Sequence, residues 1–174
     1  MSEKVKQFFA GRKLIIASMH GKEKIMGPKL KTALGVYLEV PKNFNSDIFG
    51  TFTRDIKRPG DQRDTAHKKL SAALEFSWAD LWIASEGSFW PDPHIPFVAS
   101  NREYLLLLDL KNWLEIEGYS RSFETNLDGK YISSLEEAKD FAKKIWFPEH
   151  GIIIRKSETS PKNIKKDISN WQEL

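Results

Sequence analysis

The sequence lacks cysteine and long apolar runs, and each absence excludes a class of protein. Without cysteine, neither disulfide bonds nor thiolate metal sites can form, and the composition fits a reducing compartment. The longest aliphatic run, Leu105 to Leu108, is far shorter than the ~20 residues that span a bilayer. The N-terminal segment has no apolar core of the kind found in secretory signals. We therefore expect a soluble, cytoplasmic protein that does not enter a membrane.

Neither sign of charge is in large excess, since 27 Lys and Arg residues face 24 Asp and Glu residues for a net charge of +3. This balance does not favour nucleic acid as a partner, although it leaves one open. The 174 residues, 40% of them hydrophobic, suffice for one globular domain. We predict a single α/β domain over residues 1–156 and a polar tail or helix over residues 157–174. The sequence leaves a homodimer open.

The order of apolar patterns predicts a mixed sheet flanked by helices. Continuous apolar runs indicate buried strands, and apolar residues at helical spacing indicate helices that pack on the sheet. The predicted strands cover residues 14–17, 36–40, 81–84, 103–109, 114–119 and 152–154. The predicted helices cover residues 3–9, 23–34, 61–76 and 134–145, with a long polar loop over 41–60. This order is typical of one α/β domain.

Glu86 is the first candidate for a functional residue. It follows the apolar run Leu81 to Ala84 and precedes the pair Gly87-Ser88, which predicts a carboxylate on a turn at the end of a buried strand. Open α/β sheets bind ligands at this edge, and a buried charge is costly unless a cation or donor meets it. The proline-rich segment 90–96 is expected to be a rigid loop over Glu86. Alternatively, Glu86 caps the structure that follows the strand.

The segment after the first strand carries groups that suit phosphate. Lys22 and Lys24 open the predicted helix, where backbone amides and lysine charges favour an anion. Ser18 and His20 precede them. The alternatives are solvated lysines and a histidine that bonds locally. Arg102 is a further candidate for ligand binding, or it pairs with its neighbour Glu103.

Four motifs resemble those of a domain family of unknown function: Ala17 to Lys24, Asn43 to Thr53, Ser85 to Phe89 and Phe147 to Gly151. The resemblance covers residues 8–155 and implies no activity. Such proteins often continue into a cysteine-rich, zinc-ribbon-like region, which the resemblance implies is missing from the present chain. Trp90 and Asp92 depart from the glycine and histidine of the family pattern, which implies a remodelled loop over the site.

A weaker resemblance is to the house-cleaning nucleoside-triphosphate pyrophosphatases that remove inosine and xanthosine triphosphates. The helix opening Gly60 to Lys69 is similar to theirs, which implies a metal-binding acid at Asp64 and a phosphate-binding lysine at Lys69. The turn Glu86-Gly87-Ser88 is similar to their acid-Gly turn, which adds Ser88 to the site. The resemblance implies that Asp64 and Glu86 share a Mg²⁺ ion. The alternative for Asp64 is a favourable place in the first turn of a helix.

These residues predict a protein that binds a nucleotide or related phosphorylated small molecule. The catalytic version of this hypothesis is Mg²⁺-dependent hydrolysis of a phosphoanhydride with release of pyrophosphate, in which Glu86, Asp64 and Lys69 act. One rival is a module that binds a nucleotide or signalling molecule without turnover. Two features favour it: the loop after the first strand lacks the asparagine that the pyrophosphatases carry there, and the loop at Trp90 departs from the family of unknown function. A second rival is a scaffold domain whose partner binds elsewhere.

Overall fold

A computed structural model describes residues 3–18, 21–42, 44–45, 60–92, 94–95, 97–125, 128–157 and 163–174 of the chain. The helices are α1 (Glu3–Phe9), α2 (Lys22–Leu34), α3 (Gln62–Ala73) and α4 (Leu135–Lys144). The strands are β1 (Lys13–Ile16), β2 (Tyr37–Glu39), β3 (Leu81–Pro91), β4 (Ala99–Asp109), β5 (Leu114–Ser122), β6 (Ile152–Ile154) and β7 (Lys165–Ile168). The described residues contain no helix long and apolar enough to cross a membrane.

The main sheet has five strands in the order β2-β1-β3-β4-β5. β1 runs parallel to both β2 and β3, whereas β4 is antiparallel to β3 and β5. β6 and β7 form a separate antiparallel pair. The predicted α/β fold with one mixed sheet is therefore confirmed.

The sheet has a different apolar core on each face because side chains alternate along a strand. On the α2 face, helix residues such as Leu30 and Leu34 pack against odd-numbered β3 residues such as Ile83. On the α3 face, Leu70 and its helix neighbours pack against even-numbered residues such as Trp82. The two helices thus enclose β1 and β3 from opposite sides.

Local sequence signals account for three of the helix ends. Gly35 ends α2 with a φ of 70°, a left-handed conformation that glycine adopts without steric cost. Asp61 begins α3, where its carboxylate accepts a hydrogen bond of 2.8 Å from the Asp64 amide. Ser134 and Glu137 form the capping box of α4, since Ser134 Oγ accepts from the Glu137 amide and the Glu137 carboxylate accepts from the Ser133 amide.

β3 is longer than predicted, and this changes the setting of Glu86. The strand continues to Pro91 and pairs with β4 as far as Ala99, so Glu86 lies within a strand and the predicted Gly-Ser turn is wrong. Trp90 and Pro91 likewise belong to the strand and not to a loop. The reason is the long antiparallel hairpin: β4 supplies hydrogen bonds to a polar segment whose own sequence reads as a turn.

The C-terminal segment was predicted to be a polar tail or a helix, and it contains a strand. β7 pairs with β6 through Ile152 and Ile168. Ile168 is fully buried in a third apolar cluster, with Ala142 of α4, Phe147 and Ile152. A helix over residues 165–168 is therefore wrong, because pairing with β6 and burial of Ile168 fix an extended chain.

Candidate functional site

The connections of β1 and β3 create a site of the kind at which α/β sheets bind ligands. The chain leaves β1 through α2 on one face and later reaches β3 through α3 on the other face. Ligands bind outside the carboxyl ends of strands where such connections diverge. β1 ends opposite Ile83, while β3 continues to Pro91. The polar half of β3 therefore extends past β1 at the carboxyl edge.

Five polar side chains lie on the α3 face of this extension, and we call them the α3-face cluster: Gln62, Lys69, Glu86, Ser88 and Arg102. The carboxylate of Glu86, only 3% exposed, forms an ion pair with the ammonium of Lys69, which is 9% exposed. Gln62 Nε2 donates to the backbone oxygens of Glu86 (2.6 Å) and Arg102 (3.1 Å). Gln62 thereby fixes the first turn of α3 to both strands.

Arg102 contributes a positive charge that no carboxylate of the described chain neutralises. Arg102 forms no ion pair within the part of the chain that the structure describes. Its one side-chain hydrogen-bond partner there is Ser88 Oγ, at 3.3 Å from Nη2. Its Nε atom is buried without a hydrogen-bond partner. Since Lys69 and Glu86 cancel each other, the α3-face cluster carries one net positive charge.

A second group, the α2-face cluster, consists of Lys22, Ser85 and Glu103. Lys22 Nζ donates to Ser85 Oγ at 2.6 Å and to Glu103 Oε1 at 2.7 Å. Gly87 makes room for this contact, because a Cβ atom there would lie 2.9 Å from Glu103 Oε2. The alternative pairing of Arg102 with Glu103 is wrong, since neighbours on β4 point to opposite faces of the sheet.

β3 thus divides the candidate residues into two sets. Lys22 belongs to the α2-face cluster, whereas Lys69, Glu86, Ser88 and Arg102 lie together on the α3 face. This division could not be predicted, because it depends on β3 remaining an extended strand through Ser88.

Asp64 lies on a different side of α3 from Lys69. The two residues are five positions apart, which places them about 140° apart around the helix axis. Asp64 is exposed and occupies the first turn, where the helix dipole favours an acid. The sharing of a Mg²⁺ ion by Asp64 and Glu86 stays a prediction.

The remaining candidates lie around the start of α2. Ser18 is 5% exposed at the end of β1, and Lys24 is exposed in the first turn of α2. His20 lies outside the described residues, as does most of the long loop predicted over 41–60. These positions therefore add Ser18 and Lys24 to the same edge of the sheet.

A further polar group, which the sequence analysis missed, joins α3 to β5. His67, Glu115 and Glu117 bring their ligand-type atoms within 4.8 Å of one another. Arg63 lies among them, 2.8 Å from Glu117 and 3.3 Å from Glu115. The Arg63 hydrogen bond lowers the pKa of Glu117. Because Arg63 pairs with both carboxylates, the group is an ion-pair network. The packing of α3 on the sheet brings its members together.

Tyr104 completes the polar lining of the α3 face between the two groups. It is 7% exposed and lies opposite Glu86 on the neighbouring strand. Burial and, next, the nearby Glu117 carboxylate raise the pKa of Tyr104 to about 12. Tyr104 is therefore a neutral phenol at physiological pH.

Two surface depressions of the described chain lie away from the candidate site. One is lined by residues of α1 and α2, including Lys6, Pro28 and Thr32. Another lies beside α4, with Asp128 and Lys144 among its lining residues. The candidate site is defined by its polar groups and its place in the topology.

Comparison with known proteins gives a family but no activity. No curated protein matches the chain. A family model, DUF6671, described as a domain of unknown function, matches residues 69–174. The match begins within α3 and includes β3, β4 and the C-terminal strands, whereas β1 and α2 precede it. Because it covers more than half of the chain, the protein belongs to the DUF6671 family, as the resemblance to an uncharacterised domain family predicted.

Proposed function

We propose that this protein binds a phosphorylated small molecule, with a nucleotide as the first candidate, at the α3-face cluster. The observation that carries the proposal is the guanidinium of Arg102, which has no carboxylate partner in the described chain and a buried Nε atom without a hydrogen bond. An unsatisfied buried donor costs about 1–3 kcal/mol. A phosphate oxygen would remove that cost and neutralise the charge.

The chemistry of the neighbouring groups supports an oxyanion as the ligand. Arginine presents a planar set of donors that matches the oxygens of phosphate. Ser88 places a hydroxyl 3.3 Å from the guanidinium, and this hydroxyl can donate to the same ligand. Lys69 lies on the same face and adds a cation whose charge is shared with Glu86.

The place of the cluster in the fold is the second support. The ends of β1 and β3 form the point at which connections diverge to opposite faces, and this is where open α/β sheets bind nucleotides. The amino termini of α2 and α3 lie at the same edge, and helix amino termini favour anions. Position and charge thus favour the same class of ligand.

The geometry favours binding over turnover. Glu86 already has Lys69 as its ion-pair partner, and Asp64 is exposed on a different side of α3. Mg²⁺-dependent release of pyrophosphate requires Asp64 to approach Glu86 when ligand and metal bind. We therefore place binding without turnover first and hydrolysis second.

Thermal unfolding with a panel of nucleotides and pyrophosphate tests the binding proposal. A saturating ligand at about 100 times its Kd adds about 2.7 kcal/mol, which corresponds to a rise in Tm of about 5 °C or more. Arg102→Gln should abolish the rise. The matched control is Arg155→Gln, which removes an exposed arginine that follows β6 and should leave the rise intact. No rise with any compound, or equal losses in both variants, would contradict the proposal.

Phosphorus NMR of the stabilising compound then separates the two activities. Binding alone predicts that the compound is recovered unchanged after incubation with Mg²⁺. Release of pyrophosphate that stops on metal chelation, and is lost in both Asp64→Asn and Glu86→Gln, would establish hydrolysis instead.

A further inference from the structure

The outer edge of β5 is open. β5 is the last strand of the main sheet, and its nine residues pair with β4 alone among the described residues. Eight of the nine residues are exposed. Long open edges present a row of backbone donors and acceptors that a second strand can use, and proteins usually cover or disrupt them.

We propose that two copies of this chain pair through β5, antiparallel and centred on Gly118, to form one continuous sheet across a two-fold axis. This inference is independent of the ligand site. A two-fold contact uses the same surface on both partners, so β5 must be complementary to itself. Its charges satisfy this condition in one register, in which Glu115 and Arg121 would add a contact across the axis to those they already make with Arg63 and Asp92.

The acids of β5 select the register. Glu115, Glu117, Tyr119 and Arg121 share the α3 face of the sheet. Pairing centred on Gly118 sets Glu115 opposite Arg121 of the second copy and Glu117 opposite Tyr119. Pairing centred on residue 117 would set Glu117 against itself, and pairing centred on residue 116 would set Glu115 against Glu117. Opposed like charges destabilise strand pairs, and opposite charges stabilise them.

The same register brings the largest number of β5 residues into backbone pairing. With Gly118 at the centre, Leu114 lies opposite Ser122, so all nine residues of β5 take part. Centring on Tyr119 also avoids opposed acids, but it leaves Leu114 and Glu115 beyond the end of the partner strand. At the ends of the favoured pairing, Trp113 of each copy, 91% exposed, lies near Phe123 of the other, 47% exposed. Contact between these rings removes apolar surface from water.

The absence of native cysteine allows a direct test of the register. A Cβ atom added at Gly118 would lie 3.7 Å from Leu105 Cβ, an ordinary contact, so Gly118→Cys should fold. Residues on a two-fold axis of an antiparallel pair face themselves at a spacing that a disulfide spans. Gly118→Cys should therefore form a covalent dimer under mild oxidation, and Tyr119→Cys, its matched control, should not.

Charge reversal tests the same contact without a cross-link. Sedimentation velocity should show a concentration-dependent dimer for the unaltered chain. Glu115→Arg and Arg121→Glu should each raise its dissociation constant by about tenfold, because two symmetry-related pairs change from attraction to repulsion. Arg121→Glu also removes the ion-pair partner of the buried Asp92, so thermal unfolding of each variant is measured beside its dissociation constant. The double variant restores opposite charges and should recover the dimer.

The outcomes are decisive in both directions. A dimer that is weakened by each reversal and recovered in the double variant supports the proposal, as does selective cross-linking at position 118. If the unaltered chain stays monomeric at millimolar concentration, the proposal is overturned. This result does not depend on the folding of any variant. A dimer indifferent to the reversals, or one that cross-links at 119 and not at 118, would overturn it too.

Discussion

At the scale of single residues, the pair of Lys69 and Glu86 is the most informative feature of the site. Both residues are buried, and a buried charge without a partner is strongly destabilising. The expectation that Glu86 would need a cation is met by Lys69. The sequence suggested Lys69 only through a resemblance, because nothing in a local pattern shows that a helix residue will face a strand that follows it in the chain.

Removing one member of this pair should cost far more than removing a surface pair. We expect Glu86→Gln to lower the free energy of unfolding by about 3–5 kcal/mol, since it leaves Lys69 buried and charged. The double variant Glu86→Gln with Lys69→Met should recover much of the loss. The control is Glu39→Gln, whose partner Lys13 is 55% exposed, with an expected cost below about 1 kcal/mol. Equal costs for Glu86→Gln and Glu39→Gln in urea titrations would contradict the assignment.

Asp109 gives the protein a specific sensitivity to acid. Two hydrogen bonds of 2.7 Å from Arg12, supported by Asn112, lower the pKa of Asp109 to about 2 from 3.8. The folded state therefore binds this proton less readily than the unfolded state. The stabilisation is complete above about pH 4 and is lost as the pH falls towards 2.

Urea titrations between pH 6 and pH 2 test this assignment. Asp109→Asn should remove about 2 kcal/mol of the acid-dependent stability. The variant should show a flatter pH dependence below pH 4 than the unaltered chain. Parallel curves for the two proteins would assign the acid sensitivity to other carboxylates.

At the scale of elements, the sequence predicted all four helices and located six of the seven strands. All four helices are confirmed, because apolar spacing, Asp61, Ser134 and Gly35 all act within a few residues of the chain. The errors fall on β3 beyond Ala84 and on β7. In both places, a distant strand supplies the hydrogen bonds, and no local pattern carries that information.

Both the local backbone conformation and a close tertiary contact require glycine at position 35. Its φ of 70° favours glycine, and an added Cβ would lie 3.1 Å from Ala10 Cβ, where α1 approaches the end of α2. We expect Gly35→Ala to cost about 1–2 kcal/mol of unfolding free energy. Gly129→Ala is the matched control, since nothing lies within 4 Å of its added Cβ. A thermal unfolding comparison in which the two variants shift Tm equally would contradict this explanation.

At the scale of the whole molecule, topology matters more than any motif. The α/β class followed from the order of elements and is confirmed, but the grouping of site residues did not follow from it. Lys22 and Lys69 were both candidates for phosphate binding, and the sheet separates them onto opposite faces. Sequence spacing predicts which residues reach the carboxyl edge; strand alternation, known only once β3 is traced, decides which face they reach.

The central claim is that the Arg102 guanidinium meets an anionic ligand. Arginine Nε–H resonances in a ¹H–¹⁵N spectrum report this directly, with the Arg102 signal assigned from its absence in Arg102→Gln. On addition of pyrophosphate or the nucleotide that raises Tm, the Arg102 signal should shift as its buried donor gains an acceptor, while the signal of Arg155 should stay in place. A spectrum in which the Arg102 signal does not move while the compound still stabilises the protein would contradict the account.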